Sequence, residues 1–99
     1  MKSRKNSIDW NLPNVAADWA KQHAGSTYYL FTQDQKKAIR DAIEKYYKMR
    51  LSIDEVEKLL LTDFDKDTAE RIAYTEITRA SANAAQIMGE QLQKELGKV

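Results

Sequence analysis

Glu76, Arg79 and Asn83 place a carboxylate, a guanidinium and a carboxamide three and four residues apart in the run Arg71-Ile72-Ala73-Tyr74-Thr75-Glu76-Ile77-Thr78-Arg79-Ala80-Ser81-Ala82-Asn83-Ala84-Ala85. Residues at those separations are neighbours on a helix surface. The three polar groups can therefore touch one another or a common partner. Such a set is either a polar clasp that fixes a fold or a site that holds a ligand or does chemistry.

The neighbours of the set decide between these readings. At about 100° per residue from Glu76, the residues Ala69, Ala73, Ala80, Ala84 and Ile87 fall within about 80° of it on one side, and Ile77 and Met88 widen that apolar face. Asn83 lies about 20° and Arg79 about 60° away on the other side. Glu76 and Asn83 thus border the core. A carboxylate in that position needs a partner, because an unpaired buried charge costs several kcal/mol. Arg79 is the nearest candidate, with Thr75 and Asn83 placed to add hydrogen bonds. The alanines also let another helix approach closely. An internal clasp onto an earlier helix is the favoured reading, ahead of a docking surface for another subunit and well ahead of a ligand or catalytic role.

Other residues with chemical potential carry less. Asp63-x-Asp65-x-Asp67 suggests a calcium loop, which needs Gly at the sixth place and Glu at the twelfth. Counting from Asp63, those places hold Thr68 and Tyr74. Counting from Asp65 brings Glu76 to the twelfth place but puts Ala69 at a ligand place. The aspartates are better explained as negative charge at the start of a helix, which the helix dipole favours. His23 is the only histidine. It lies one turn after Trp19, and no nucleophile or orienting acid is nominated for it. The sequence has no Gly-rich phosphate loop, no HExxH and no GxSxG. The expectation is a non-enzyme with no cofactor, no metal and no small-molecule substrate.

The elements that position these residues follow from periodicity and end signals. Residues 1–9, with Lys2, Arg4 and Lys5, read as a flexible basic arm, and Trp10 and Leu12 begin the ordered part. Pro13 suits a helix entrance. Val15, Ala16, Trp19, Ala20 and His23 then recur at helical spacing, with Gly25 as the stop. Tyr28-Tyr29-Leu30-Phe31 reads as a buried connector, since no second strand exists to pair with it. Thr32 with Gln35 and Ser52 with Glu55 have the form of capping boxes. The first precedes a helix over about 33–49 with Ala38, Ile39, Ala42, Ile43, Tyr46, Tyr47 and Met49 on one face. The second precedes a short helix carrying Ile53, Val56, Leu59 and Leu60. A last helix runs from about 66 to 96, with Gly97 as its stop. The fold class expected is all-α, a small single domain over residues 10–99 of about four helices with a long C-terminal one.

Composition is consistent with this. Ninety-nine residues, 42% hydrophobic and 31% charged, suffice for one domain, and only three Gly and one Pro favour long helices over turn-rich β structure. The net charge of +1 gives no global pull toward nucleic acid or anionic lipid. With no Cys, disulfides, thiolate-bound zinc and thiol catalysis are excluded. No apolar run approaches the ~20 residues that span a bilayer, and no apolar core follows the basic start as in a signal peptide. A cytosolic-type chain with no membrane partner is expected.

The signature of the last helix resembles that of the phage head morphogenesis family, the Mu F-like minor head (minor capsid) proteins, whose domain ends in a helix of the form R-A-x-x-I-A-R-T-E-x-x-R-A-x-N-x-A. The matching residues are Ala69, Ile72, Ala73, Thr75, Glu76, Arg79 and Ala80, with Asn83 one place later than the commonest spacing. Upstream, Leu30-Phe31-Thr32 leads into Ile39-Arg40-Asp41-Ala42-Ile43, and Leu51-Ser52-Ile53-Asp54-Glu55-Val56 stands where the family often has Gly-Leu-Ser-x-x-Glu-Leu. The similarity covers roughly residues 15–92. Tyr74 replaces the usual Arg of the I-A-R-T-E run, Thr68 replaces the Arg before the first Ala, and Met49-Arg50 stands where a Gly is frequent. Both arginine losses remove positive charge.

The resemblance implies a minor head component that joins procapsid assembly near the portal through contacts with portal or capsid proteins. It further implies location in the virion or procapsid, and in the host cytoplasm during assembly. Members of the family are longer, so it also implies an excised domain or a reduced relative. Ile72, Ala73, Thr75, Glu76, Arg79, Ala80 and Asn83 would be its structural or interaction signature. The alternative is a small DNA-binding module in which the basic arm and Lys36, Lys37, Arg40, Lys45 and Lys48 of the second helix make weak nucleic-acid contacts. These cations alternate with Asp34, Asp41 and Glu44, a pattern more typical of a solvated, ion-paired face.

Overall fold

The computed structural model describes residues 11–97. The basic arm expected over residues 1–9, and Trp10, lie outside the described residues. Four helices follow in order, α1 (Leu12–His23), α2 (Gln33–Met49), α3 (Ile53–Leu60) and α4 (Lys66–Gly97), and no strand occurs among the described residues. The all-α architecture with a long last helix is the one the periodicity predicts.

The helix starts are set by side chains that satisfy orphan backbone donors. Asn11 Oδ1 accepts from the Asn14 N–H at 3.1 Å, with Pro13 in the first turn of α1. Thr32 and Gln35 form a complete capping box, with bonds of 3.1 and 2.9 Å, and Ser52 and Glu55 form another at 3.1 and 2.8 Å. Asp65 Oδ1 accepts from the Thr68 N–H at 2.8 Å at the entrance of α4. Hydrogen bonds from Thr68 hold the Asp65 carboxyl below the usual carboxylate range. The aspartate run is helix-start chemistry there. Among the described residues no three His, Cys, Asp or Glu side chains are grouped to hold a metal ion.

Two left-handed residues end the first two helices. Gly25, just after α1, has φ +79°, and a Cβ there would sit 3.3 Å from the Ile39 Cβ. Arg50, after α2, has φ 55°. The Arg50 and Leu51 N–H groups both return to the Tyr46 carbonyl. This is the helix-ending geometry that glycine adopts without strain.

The core is one cluster. Ala16, Ala20 and Ala24 of the α1 region meet Ile39, Ala42 and Ile43 of α2, Val56 and Leu60 of α3, and Ala69, Ile72, Ala73, Ile77, Ala80 and Ala84 of α4. The alanines on α1 and α4 keep that contact narrow. α1 runs antiparallel to α4: Gly25 lies beside Glu76, Trp19 beside Arg79, and Val15 beside Ile87 and Gln91. At 1.5 Å per residue α4 is about 48 Å long, which accounts for the 51 Å long axis of the molecule. Past Ala84 it leaves the core, and every residue from Gly89 to Gly97 is exposed.

Three placements differ from expectation. The connector Tyr28–Phe31 is only half a connector to the core: Tyr28 and Phe31 face inward, whereas Tyr29 and Leu30 are 89% and 97% exposed. The segment is a turn closed by the Phe31 N–H on the Tyr28 carbonyl at 3.3 Å, which points its first and last side chains in and its middle pair out. The inward pair stacks ring on ring, and Phe31 then meets Phe64. Met49, the last residue of α2, is exposed, and Ile53 and Leu59 sit at the edge of the face that α3 buries.

Candidate functional site

Glu76 is the one charged side chain buried among the described residues, with none of its surface exposed. It sits midway along the alanine face of α4, where the α1–α2 turn passes over the helix. Gly25 donates its backbone N–H to Glu76 Oε1 at 2.9 Å, and the Tyr28 hydroxyl donates to Oε2 at 3.1 Å. Arg79 Nη1 donates to both oxygens, at 2.8 and 3.0 Å. A buried carboxylate is tolerable only when its lone pairs are filled and its charge is matched, and here both conditions are met. No buried side-chain N or O among the described residues lacks a partner.

The three donors are delivered by the fold. Gly25 can turn its N–H toward α4 because its φ is positive and because the absent side chain leaves room for Ile39. Tyr28 reaches Glu76 from the first position of the following turn. Arg79 lies one helical turn after Glu76, its side chain 29% exposed, and its guanidinium carbon sits 5.1 Å from the centre of the Trp19 ring. The clasp therefore joins α1, the α1–α2 turn and α4 through one carboxylate. Burial, the nearby Glu76 charge and the hydrogen bond to it push the Tyr28 hydroxyl up to about 12.

A second polar tie lies one turn further along. The Tyr47 hydroxyl donates to the Ile77 carbonyl at 2.7 Å and lies 2.6 Å from Ser81 Oγ, fastening the end of α2 to α4. Burial raises the Tyr47 hydroxyl from its ordinary value.

The signature residues separate into two groups. Ile72, Ala73, Glu76 and Ala80 are buried together against the earlier elements, and Arg79 completes the clasp. Thr75 and Asn83 do not bond to Glu76, contrary to the expectation that they would. Asn83 Nδ2 instead donates to the Arg79 carbonyl at 2.8 Å. Seven residues of helix carry Asn83 about 10 Å along the axis from Glu76, and Thr75 is turned about 100° away from it. Gly25, Tyr28 and Trp19 were not among the expected partners. An inward aromatic next to a helix-stopping glycine was the available signal for the first two, but only the third dimension sets them opposite Glu76.

His23 is exposed and its ring is 5.4 Å from that of Trp19, in the pairing the spacing suggests. On α2, Lys37 pairs with Asp41 at 2.9 Å and Lys48 with Glu44 at 2.8 Å. The Glu44 contact raises the Lys48 ammonium above its ordinary value. No protein-family model, no curated protein and no solved structure matches the chain. Among the described residues, no helix is long and apolar enough to cross a membrane.

Proposed function

We propose that the chain is a non-enzymatic structural and assembly module that works through protein–protein contacts, in the manner of a phage minor head protein joining procapsid assembly near the portal. The observation that carries this reading is the division of labour along α4. Its signature half is used up internally: the carboxylate and guanidinium that could have done chemistry are committed to each other, to Gly25 and to Tyr28. Its last turns project from the body with Leu92 and Leu96 exposed. A clasped body carrying a protruding helix suits docking better than turnover, and the resemblance of the I-A-x-T-E-x-x-R-A core supplies the context of head assembly.

The test is co-expression with phage portal and capsid proteins, taken from its own genome where they are encoded there. Co-purification and entry into procapsids are expected, both lost when residues 89–97 are removed while the melting temperature changes little. A monomer that enters no procapsid would sink the proposal. The ion pairs that divide the cations of α2 weigh against the DNA-binding alternative.

A further inference from the structure

The antiparallel seam of α1 and α4 opens as α4 leaves the core. There a cleft of about 340 Å3 is lined by Val15, Asp18, Trp19 and Gln22 of α1 and by Ile87 and Gln91 of α4. Val15, Trp19 and Ile87 give it apolar walls, and it begins at the first turn of α1. Asn11 is the N-cap of that helix, which makes Val15 its fourth residue. The Val15 N–H donates to the Asn11 carbonyl at 3.2 Å, and the Asn14 N–H donates to Asn11 Oδ1 at 3.1 Å. The residue before Asn11 in the sequence is Trp10. An apolar residue just before an N-cap commonly packs against the fourth residue of the helix, a hydrophobic staple that also fixes the angle at which the chain enters. In this chain the fourth residue is a wall of the cleft.

We propose that the cleft is filled by the chain's own Trp10, which braces α4 at the point where that helix leaves the body. The register of the N-cap selects this occupant, because it pairs Trp10 with Val15. Val15 lies only about 6 Å along the helix axis from Asn11, so a single side chain covers the distance. Across the seam Val15 faces Ile87 and Gln91, and an indole on Val15 covers Ile87 as well. A group tethered this closely meets its site at an effective concentration in the millimolar range, ahead of a free partner. The indole also joins an apolar body to one N–H donor, and the Gln91 carboxamide in the same lining offers an acceptor. Ile87 is half-buried, and every later residue of α4 to Gly97 except Met88 is exposed. The brace therefore adds cover where α4 has little of its own. It goes beyond the assembly reading and does not depend on it.

The test uses the full chain, isotope-labelled for NMR, with Trp10→Ala as the variant. Expected are nuclear Overhauser contacts from the Trp10 ring protons to the Val15 and Ile87 methyl groups, with intensities that do not change on dilution. A mixture of labelled and unlabelled chains should show none of these contacts between molecules. Trp10→Ala should move the Val15 and Ile87 methyl resonances and speed amide exchange over residues 87–91, while residues 69–80 stay as protected as in the wild type. Absence of contacts from Trp10 to both methyl groups in the wild-type chain would overturn the proposal whatever the variant does. Contacts made only between molecules would overturn it in favour of a second copy, and unchanged exchange over residues 87–91 in Trp10→Ala would overturn the brace.

Discussion

The backbone N–H of Gly25 donates to the buried carboxylate of Glu76, 51 residues later in the chain, at 2.9 Å. This bond ties the turn after α1 to the middle of α4, and both ends of it depend on residue type. Only a residue at ease with positive φ presents the N–H there, and only a carboxylate in that position can accept it together with the Tyr28 hydroxyl and the Arg79 guanidinium.

Gly25→Ala should lower stability by about 1–3 kcal/mol. The substitution forces an L side chain into φ +79° and brings its Cβ to 3.3 Å from Ile39. Urea unfolding with an unchanged denaturant slope measures this; a loss below about 0.5 kcal/mol would mean that the turn relaxes freely.

Arg50→Gly should act in the opposite direction. Arg50 holds φ 55° at the end of α2 with its side chain exposed, and glycine relieves a left-handed backbone that costs other residues roughly 1–2 kcal/mol. After the entropy that glycine loses on folding, a net gain of about 0.5–1 kcal/mol is expected in the same assay.

Tyr28 gives the fold an alkaline limit. Its hydroxyl titrates near 12 in the folded chain against 10.0 unperturbed. The folded state thus favours the neutral, donating form. The stability this linkage contributes is complete below pH 10 and is lost as pH rises from about 10 to 12. Tyr47 is shifted in the same direction and adds to the loss. In Tyr28→Phe the fall in melting temperature over that window should be shallower, and an ultraviolet titration should lose one late-ionising tyrosine. An identical alkaline profile for the variant would contradict the Tyr28–Glu76 bond.

Duplex DNA offers a check on the alternative function. Binding should be weak at about 50 mM salt, with a shallow dependence of log K on log salt. A steep slope, equivalent to several phosphate contacts, would move the DNA reading ahead of assembly.

Much of this architecture is legible in the chain because its signals are local. The paired capping boxes mark where α2 and α3 begin, and the aspartates mark the start of α4. The run of alanines around Glu76 identifies the buried face, so a carboxylate bordering the core needing a partner can be read directly. The partners are less legible. Arg79 is found because it is one turn away, but Gly25 and Tyr28 are 51 and 48 residues distant. Helical spacing overvalues Thr75 and Asn83, which are close in sequence but displaced around or along the axis. Likewise Tyr29 and Leu30 look like core by residue type, and only the turn geometry sends them outward.

The most direct measurement is equilibrium unfolding of Glu76→Ala beside Lys48→Ala. Removing the Glu76 carboxylate strands the Gly25 N–H, the Tyr28 hydroxyl and a half-buried guanidinium at once, so a loss of about 3 kcal/mol or more is expected. Lys48→Ala, which removes an exposed ammonium from one helix-surface ion pair, should leave the melting temperature nearly unchanged. Equal melting temperatures for the two variants would contradict the clasp and return Glu76 to the surface as a residue available to a partner.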